Sequence, residues 1–135
     1  MFRKINTEIS ERLNARREGD KGFTLVELLV VVIIIGILAA IAIPVFLNQR
    51  EAAWKSAVES DLRNAALAVE TYSAENNGSL SGLTAIGGLT AFNPSPNNVV
   101  SLVVTGNTYV ITGNHDDLAP NLLYNSQLGG LQDWP

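Results

Sequence analysis

The chain contains no cysteine among its 135 residues, and charged residues make up only 16% of it. The absence of cysteine excludes disulfide bonds, thiolate metal sites and a cysteine nucleophile. After residue 22 only three side chains are basic, against nine acidic ones, so nucleic-acid binding is not indicated. A small domain without disulfides must be held by its core and by what it assembles with, which favours an oligomer.

Signals for catalysis and metal binding are equally scarce. His115 is the only histidine, and the chain has no nucleophile elbow, Gly-rich phosphate loop or His-x-x-x-His pair. The segment Asn114-His115-Asp116-Asp117 lacks the alternating oxygen-ligand spacing of a calcium loop, so we expect a solvated turn there. The sequence predicts a protein that is not an enzyme and that uses no metal and no cofactor.

One long apolar segment dominates the first half of the chain. Residues 28–43 carry no polar side chain. Extended to residues 23–47, the segment would be roughly 37 Å long as a helix, against roughly 30 Å for the hydrocarbon core of a membrane. Six basic residues precede it and few follow it, which orients the N-terminus towards the cytoplasm. We expect a single membrane-spanning helix, with the remainder of the chain outside.

The helical pattern continues beyond the apolar segment. From residue 48 onwards, apolar side chains recur every three or four residues and form a stripe on one helix face. These are Trp54, Val58, Leu62, Ala65, Val69 and Tyr72. Asn76-Asn77-Gly78 is a helix stop. The pattern predicts one helix of about 54 residues from Phe23, whose second half, residues 48–77, packs its stripe against a globular head in residues 78–135.

The head is expected to be a small antiparallel sheet. Residues 99–104 and 108–112 have the composition of strands, and Thr105-Gly106-Asn107 between them is a hairpin signal. Residues 122–124 are a possible third strand, and residues 127–131 a short fourth. The fold class is therefore predicted to be α+β, with one long N-terminal helix packed on a small sheet.

The start of the apolar segment carries a specific motif. Lys21-Gly22-Phe23-Thr24-Leu25-Val26-Glu27, followed by the apolar helix, closely resembles the class III signal of type IV pilins and pseudopilins. The resemblance covers roughly residues 21–50 and implies that residues 1–22 are a leader, which a prepilin peptidase removes by cleavage between Gly22 and Phe23. It also implies N-methylation of Phe23 and polymerisation of the chain with copies of itself by a pilus assembly platform.

Glu27 is the most informative residue of the motif. A carboxylate inside an apolar helix is costly in a membrane, so such a residue is a functional candidate. The resemblance implies that Glu27 neutralises the terminal amine of Phe23 in a neighbouring subunit and sets the stagger of the filament. The alternative is that Glu27 only complements the N-terminus of its own helix.

Three further residues of the apolar segment are candidates for packing and bending. Gly36 and Ala40 are small residues four positions apart, a spacing that lets apolar helices approach closely. Pro44 lacks an amide hydrogen and clashes with the preceding turn, so it should kink or locally melt the helix.

The expected function is that of a structural subunit, a type IV pilin precursor that resides in the cytoplasmic membrane and then in an extracellular pilus. The resemblance is shared by fimbrial subunits of adhesion and twitching motility, and by pseudopilins of type II protein secretion or DNA uptake, which are the first alternative. The second alternative is a single-pass, membrane-anchored binding protein that keeps residues 1–22 and does not polymerise.

Overall fold

The computed structural model describes residues 22–135. Helix α1 spans Leu25–Glu75, and a short 3-10 helix spans Ile86–Gly88. Four strands follow, β1 (Asn98–Thr105), β2 (Thr108–His115), β3 (Leu122–Asn125) and β4 (Gly130–Leu131). The predicted α+β class, a long helix with a small antiparallel sheet, is confirmed. Apart from Gly22, the predicted leader lies outside the described residues.

Helix α1 contains 51 residues and ends at a glycine-containing stop. Asn77 and Gly78 both have positive φ, +55° and +81°. The Gly78 N–H donates to the carbonyl of Ser73 at 2.8 Å, the six-to-one bond of a Schellman motif. Pro44 lies inside α1, where the helix is continuous, and the kink expected there stays a prediction.

The chain divides into two compact units, the first ending at Pro44 and the second formed by Val45–Pro135. In the first unit the described residues are essentially the apolar start of α1. Between residues 23 and 47 every large apolar side chain is exposed, from 47% for Val30 to 86% for Phe23. Within the described residues, α1 is the one helix that is long and apolar enough to cross a membrane, by length and composition.

In the second unit the four strands form an antiparallel sheet in the order β1-β2-β3-β4. β1 and β2 pair along their whole length, from Asn98 opposite His115 to Thr105 opposite Thr108. Gly106 has φ +63° and occupies the first central position of the two-residue turn, where a type II′ turn needs a positive φ. β2 is longer than the sequence indicated because residues 113–115 continue the pairing with the start of β1.

The core of the second unit lies between the sheet and the second half of α1. Alternate residues of β2 are buried, as expected for a sheet with one covered face. The buried apolar residues come from α1 (Val58, Leu62, Ala65, Ala66, Ala68, Val69), from the connection after it (Leu80, Leu83, Leu89) and from the strands (Val100, Leu102, Tyr109, Ile111, Leu122).

Gly113 marks the closest approach of the sheet to the helix. A Cβ atom at this position would lie 2.9 Å from Cδ2 of Leu62 and 3.0 Å from Cγ1 of Val58. Both of these side chains are completely buried and have no free space to move into. β2 can therefore cross α1 at this distance only because residue 113 has no side chain.

Candidate functional site

The predicted processing junction lies immediately before α1. Gly22 and Phe23 are exposed and precede the helix. A Cβ atom built on Gly22 would have no neighbour within 4 Å. The described part of the chain therefore places no steric demand for glycine at position 22.

Thr24 and Glu27 form a reciprocal cap at the start of α1. The Glu27 N–H donates to the Thr24 hydroxyl oxygen at 3.2 Å. In return, Oε2 of Glu27 accepts from the Thr24 N–H at 3.0 Å and from the Thr24 hydroxyl at 2.8 Å. This is a capping box, in which the first and fourth residues of the motif satisfy each other's donors. It fixes the Glu27 carboxylate at the end of α1 that attracts negative charge.

Thr24 is a site residue that the sequence reasoning missed. Thr24-Leu25-Val26-Glu27 has the Ser/Thr-x-x-Glu spacing of a capping box directly before an apolar run. That signal is present in the sequence. The cap also explains why α1 begins at Leu25 rather than at Phe23, because the capping residue itself is not helical.

Gly36 and Ala40 lie on the exposed apolar part of α1. A Cβ atom built on Gly36 would have no heavy atom within 4 Å in the described part of the chain. An apolar helix that is exposed all round needs an apolar environment, either lipid or other helices. Both residues are available for such packing in the chain as described.

The predicted helix-to-head residues all lie in the second unit. Val58, Leu62 and Val69 are completely buried in its core. Trp54 and Tyr72, the two aromatic ends of the stripe, are only half-buried. The Tyr72 hydroxyl donates to the carbonyl of Ser81 at 3.1 Å and so ties the chain after the helix back to α1.

Trp54 is held between charged and aromatic neighbours. Its ring stacks on His115, with centroids 4.9 Å apart and planes 20° from parallel. The Arg50 guanidinium carbon lies 4.8 Å from the Trp54 centroid, within cation–π distance. Trp54 thus joins α1 to the end of β2.

The expectation of a solvated turn at residues 114–117 is wrong for its first half. Asn114 and His115 belong to β2, and His115 is buried under Trp54. Nδ1 of His115 accepts the N–H of Asp117 at 3.1 Å. The pattern was misread because the polar run Asn-His-Asp-Asp suggested a loop, whereas pairing with β1 extends the strand. In residues 22–135 no group of three or more His, Cys, Asp or Glu side chains could hold a metal ion.

Asp61 is a buried carboxylate on the core face of α1 that the sequence reasoning also missed. Its Oδ2 accepts from the Ser95 N–H at 2.8 Å and from Nδ2 of Asn98 at 2.7 Å, and its Oδ1 accepts from the Ser95 hydroxyl at 2.9 Å. Pro96 and Asn97, with φ +64° at Asn97, form a turn closed by the Asn98 N–H and the Ser95 carbonyl. The sequence signal for this site was a charged residue three positions after Val58, inside the apolar stripe of α1.

Two further contacts anchor the head on the polar flanks of α1. The Tyr109 hydroxyl donates to Glu70 at 2.7 Å, and burial, assisted by this carboxylate, raises the pKa of Tyr109. Near the C-terminus, Nε1 of Trp134 donates to Glu59 at 3.0 Å, and the Lys55 ammonium lies 5.6 Å from the Trp134 centroid. The helix is therefore bonded to the sheet and to the C-terminal segment.

Comparisons with known proteins converge on one kind of subunit. Residues 18–43 match the model of the prokaryotic N-terminal methylation motif. The chain is 38% identical over 97 residues to the type IV wide pilus major component PilA4 of Thermus thermophilus, covering 70% of this chain and 73% of the relative. It is 34% identical over 86 residues to the type II secretion system core protein G of Pseudomonas aeruginosa, covering 62% and 61%.

A third similarity is higher but more local. The chain is 53% identical over 52 residues to a type IV major fimbrial protein, FimA, of Dichelobacter nodosus, covering 38% of this chain and 33% of the relative. The chain therefore spans under two thirds of the length of the second and third relatives.

Proposed function

Because this chain belongs to the family of type IV pilins and type II secretion pseudopilins, we propose that it is the precursor of a type IV pilin. Its relatives by name are a pilus component, a secretion-system core protein and a fimbrial protein, which are structural subunits. The proposed product is a filament built from copies of the mature chain. An apolar N-terminal helix and these relatives agree with membrane anchoring before assembly and an extracellular location after it.

The observation that carries the proposal is the position of the Thr24–Glu27 cap, one residue after the proposed cleavage site and at the start of a fully exposed apolar helix. Before cleavage, the nitrogen of Phe23 is an uncharged amide, and Glu27 bonds to Thr24. Cleavage creates a positive amine within one turn of this carboxylate. An unpaired charge in an apolar environment is costly, so the amine and the carboxylate must be paired, either within one chain or between chains.

We assign the parts of the chain as follows. Residues 1–22 are the leader, residues 23–47 cross the membrane and later pack in the filament core, residues 48–77 form the amphipathic half of the helix, and residues 78–135 form the head. The leader is on the cytoplasmic side, because most of the basic residues that flank the apolar segment precede it.

Processing requires a membrane peptidase that recognises the junction. In the proposal it cleaves between Gly22 and Phe23, after which Phe23 is N-methylated. The open space around Gly22 supports this role, since a larger residue there would disturb the bound peptidase rather than the chain itself. Gly22 is needed because, without a side chain, it lets the backbone at the cleavage site enter the peptidase.

Assembly is proposed to join the Glu27 carboxylate of one subunit to the Phe23 amine of a neighbour, under the direction of an assembly platform. Gly36 and Ala40 then give neighbouring apolar helices a close contact face. Pro44 supplies a position where the helix bends during packing. The buried residues from Val58 to Val69 hold the head on the helix throughout.

The test is mass spectrometry of the N-terminus of filaments sheared from the cell surface. We expect N-methyl-Phe23 as the first residue. Gly22→Val should block processing, whereas Gly19→Val, in the same leader, should leave it unchanged. An intact leader on a membrane-bound monomer would refute the proposal and favour the non-polymerising, membrane-anchored binding protein.

The second candidate is a pseudopilin, favoured by the similarity to the secretion-system core protein G. It shares processing and polymerisation with a pilin, so the N-terminus does not separate the two. Electron microscopy of cells that express the chain at its native level separates the pilin from the pseudopilin. Long surface filaments that disappear on deletion of the gene support the pilin, whereas loss of protein secretion without long filaments supports the pseudopilin.

A further inference from the structure

The turn after α1 contains Asn77-Gly78-Ser79, an Asn-x-Ser triplet. Where the middle residue is not proline, this triplet is the acceptor sequence for N-linked glycosylation in proteins exported from the cytoplasm. The chain has only one other Asn-x-Ser or Asn-x-Thr triplet, Asn93-Pro94-Ser95, and its proline disqualifies it. The sequence thus offers one acceptor and one closely matched non-acceptor.

The geometry of the turn presents Asn77 outwards. Asn77 and Gly78 are both exposed and have positive φ, and the Ser79 N–H donates to the Asn76 carbonyl at 3.1 Å. The Asn76 side chain is engaged, since its Nδ2 donates to the carbonyl of Tyr72 at 2.8 Å. Among the described residues, none bonds to the side-chain amide of Asn77. The reacting group of the acceptor is therefore accessible in the folded chain.

The helix stop by itself does not require this triplet. A glycine at position 77 would adopt the same positive φ with less strain, and the Schellman bond uses the backbone of Gly78 and Ser73. Within residues 22–135 the Ser79 hydroxyl accepts one bond, from the Ser81 N–H at 3.1 Å, and its proton is not used in a bond there. The helix stop accounts for Asn77, a residue type that tolerates positive φ, and for Gly78, but it does not require a serine hydroxyl at position 79.

Exposed Glu75 adds a charged group two residues before Asn77. Carboxylates form strong, charge-assisted hydrogen bonds with basic groups. Glu75 can therefore add an ionic contact to that of the Ser79 hydroxyl, in a recognition element that extends over residues 75–79.

The length of helix between the apolar segment and the turn also suits a modification outside the membrane. Residues 48–75 of α1 separate the turn from the apolar segment, which corresponds to about 42 Å of helix. The turn is therefore outside the cytoplasmic membrane if the head is outside it. The inference rests on the outward topology of the proposed function, but not on polymerisation.

We propose that Asn77 is an N-glycosylation site that accepts an oligosaccharide from a polyprenyl diphosphate donor. Nδ2 of Asn77 attacks the anomeric carbon of the first sugar, and the bond from this carbon to the diphosphate oxygen breaks. A new carbon–nitrogen bond forms, Nδ2 loses one proton to a base of the transferase, and the polyprenyl diphosphate leaves with the electron pair. No electron is exchanged with an oxidant or reductant.

The experiment is intact-mass and peptide mass spectrometry of the full chain purified from membranes and surface material of its native host. A glutamate-specific protease cleaves after Glu75 and releases a peptide that begins at Asn76. We expect this peptide to carry a hexose- or hexosamine-type mass that electron-transfer fragmentation assigns to Asn77. The mass should disappear in Asn77→Gly, which suits the positive φ, and in Ser79→Ala, but persist in Ser79→Thr.

Asn93→Gln is the matched control and should retain the glycan, because its triplet contains proline. Glu75→Gln should lower the glycosylated fraction, and an unchanged fraction would remove Glu75 from the recognition element. An Asn77 peptide of unmodified mass overturns the proposal. The same spectra identify the N-terminal residue, so the two proposals can fail separately. A chain that starts at Phe23 and carries unmodified Asn77 refutes glycosylation and leaves the proposed function standing. A chain that keeps its leader and carries a glycan on Asn77 refutes the proposed function and supports glycosylation.

Discussion

The hydroxyl of Thr24 and the carboxylate of Glu27 lie 2.8 Å apart and hold each other at the start of α1. In a chain whose Phe23 nitrogen is still an amide, this contact gives Glu27 a partner within its own helix. Both cap bonds to the Glu27 carboxylate end on Oε2, so in the proposed filament Oε1 is the oxygen open to the amine of a neighbouring subunit. Capping and the proposed charge neutralisation use the same carboxylate, and side-chain substitutions can separate them.

Glu27→Gln should preserve the cap and abolish neutralisation. Glutamine is as suitable as glutamate at the fourth position of a capping box, but it carries no charge. We expect filament yield to fall by roughly tenfold or more, because the terminal amine then stays unpaired in an apolar environment. Glu27→Ala should show the same loss. Filament mass in sheared fractions, normalised to the membrane-bound chain, measures the effect. Wild-type yield in Glu27→Gln would mean that Glu27 acts only as a cap.

Thr24→Val should remove the cap and leave the charge of Glu27 unchanged, the opposite of Glu27→Gln. Valine has the shape of threonine but removes the hydroxyl that accepts from the Glu27 N–H. In the detergent-solubilised precursor we expect the backbone amides of Glu27 and Leu28, which donate to Thr24, to exchange with solvent roughly fivefold faster, the effect of losing a typical N-cap. Thr24→Ser keeps the hydroxyl and is the control. Equal exchange in all three chains would contradict the cap.

Gly113→Ala should destabilise the head by about 1–3 kcal/mol, the usual cost of overpacking a core. The added methyl would lie 2.9 Å from a side-chain carbon of Leu62. Urea unfolding of the detergent-solubilised mature chain, followed by the fluorescence of Trp54 and Trp134, measures the free energy of unfolding. Gly87→Ala, with open space at its Cβ, is the control and should change stability by less than about 0.5 kcal/mol. Matching values for both variants would show that β2 is free to move away from α1.

Asp61→Ala should cost about 2–3 kcal/mol in the same unfolding experiment, because it leaves the buried amide of Asn98 and the partly buried donors of Ser95 without an acceptor. Besides this loss of overall stability, we expect local loosening of the turn, seen as faster amide exchange at residues 95–98. Asp116→Ala removes an exposed carboxylate and serves as the control. A stability loss no greater than that of the control would mean that solvent replaces Asp61 at this turn.

The stability of the head should fall above about pH 10, the ordinary pKa of tyrosine. Burial and the nearby Glu70 raise the pKa of Tyr109 in the folded chain, so the folded state keeps a proton that the unfolded state releases. This contribution is fully present below pH 10 and is lost as the pH rises further. Urea unfolding between pH 8 and 11 should show a smaller decline for Tyr109→Phe than for the wild type. Parallel declines would exclude Tyr109 as the titrating group.

The features that sequence reasoning reached correctly are those that local pattern controls. The long helix and the hairpin around Gly106 depend on periodicity and turn residues over short stretches. The third and fourth strands, which the sequence offered only as possibilities, are present as β3 and β4. Residues 114 and 115 were assigned wrongly because membership of β2 depends on their pairing with β1, some 16 residues earlier in the chain.

The sequence by itself determined the exposed apolar part of α1 and the helix stop, because each depends on neighbouring residues and on the solvent. Only the tertiary structure decided that Asp61 is a buried anchor for the turn at residues 95–98, that His115 stacks on Trp54, and that Gly113 must lack a side chain over Leu62. These relationships join residues more than 30 positions apart. They arise from the distance at which the sheet packs on the helix, and no local propensity encodes that distance.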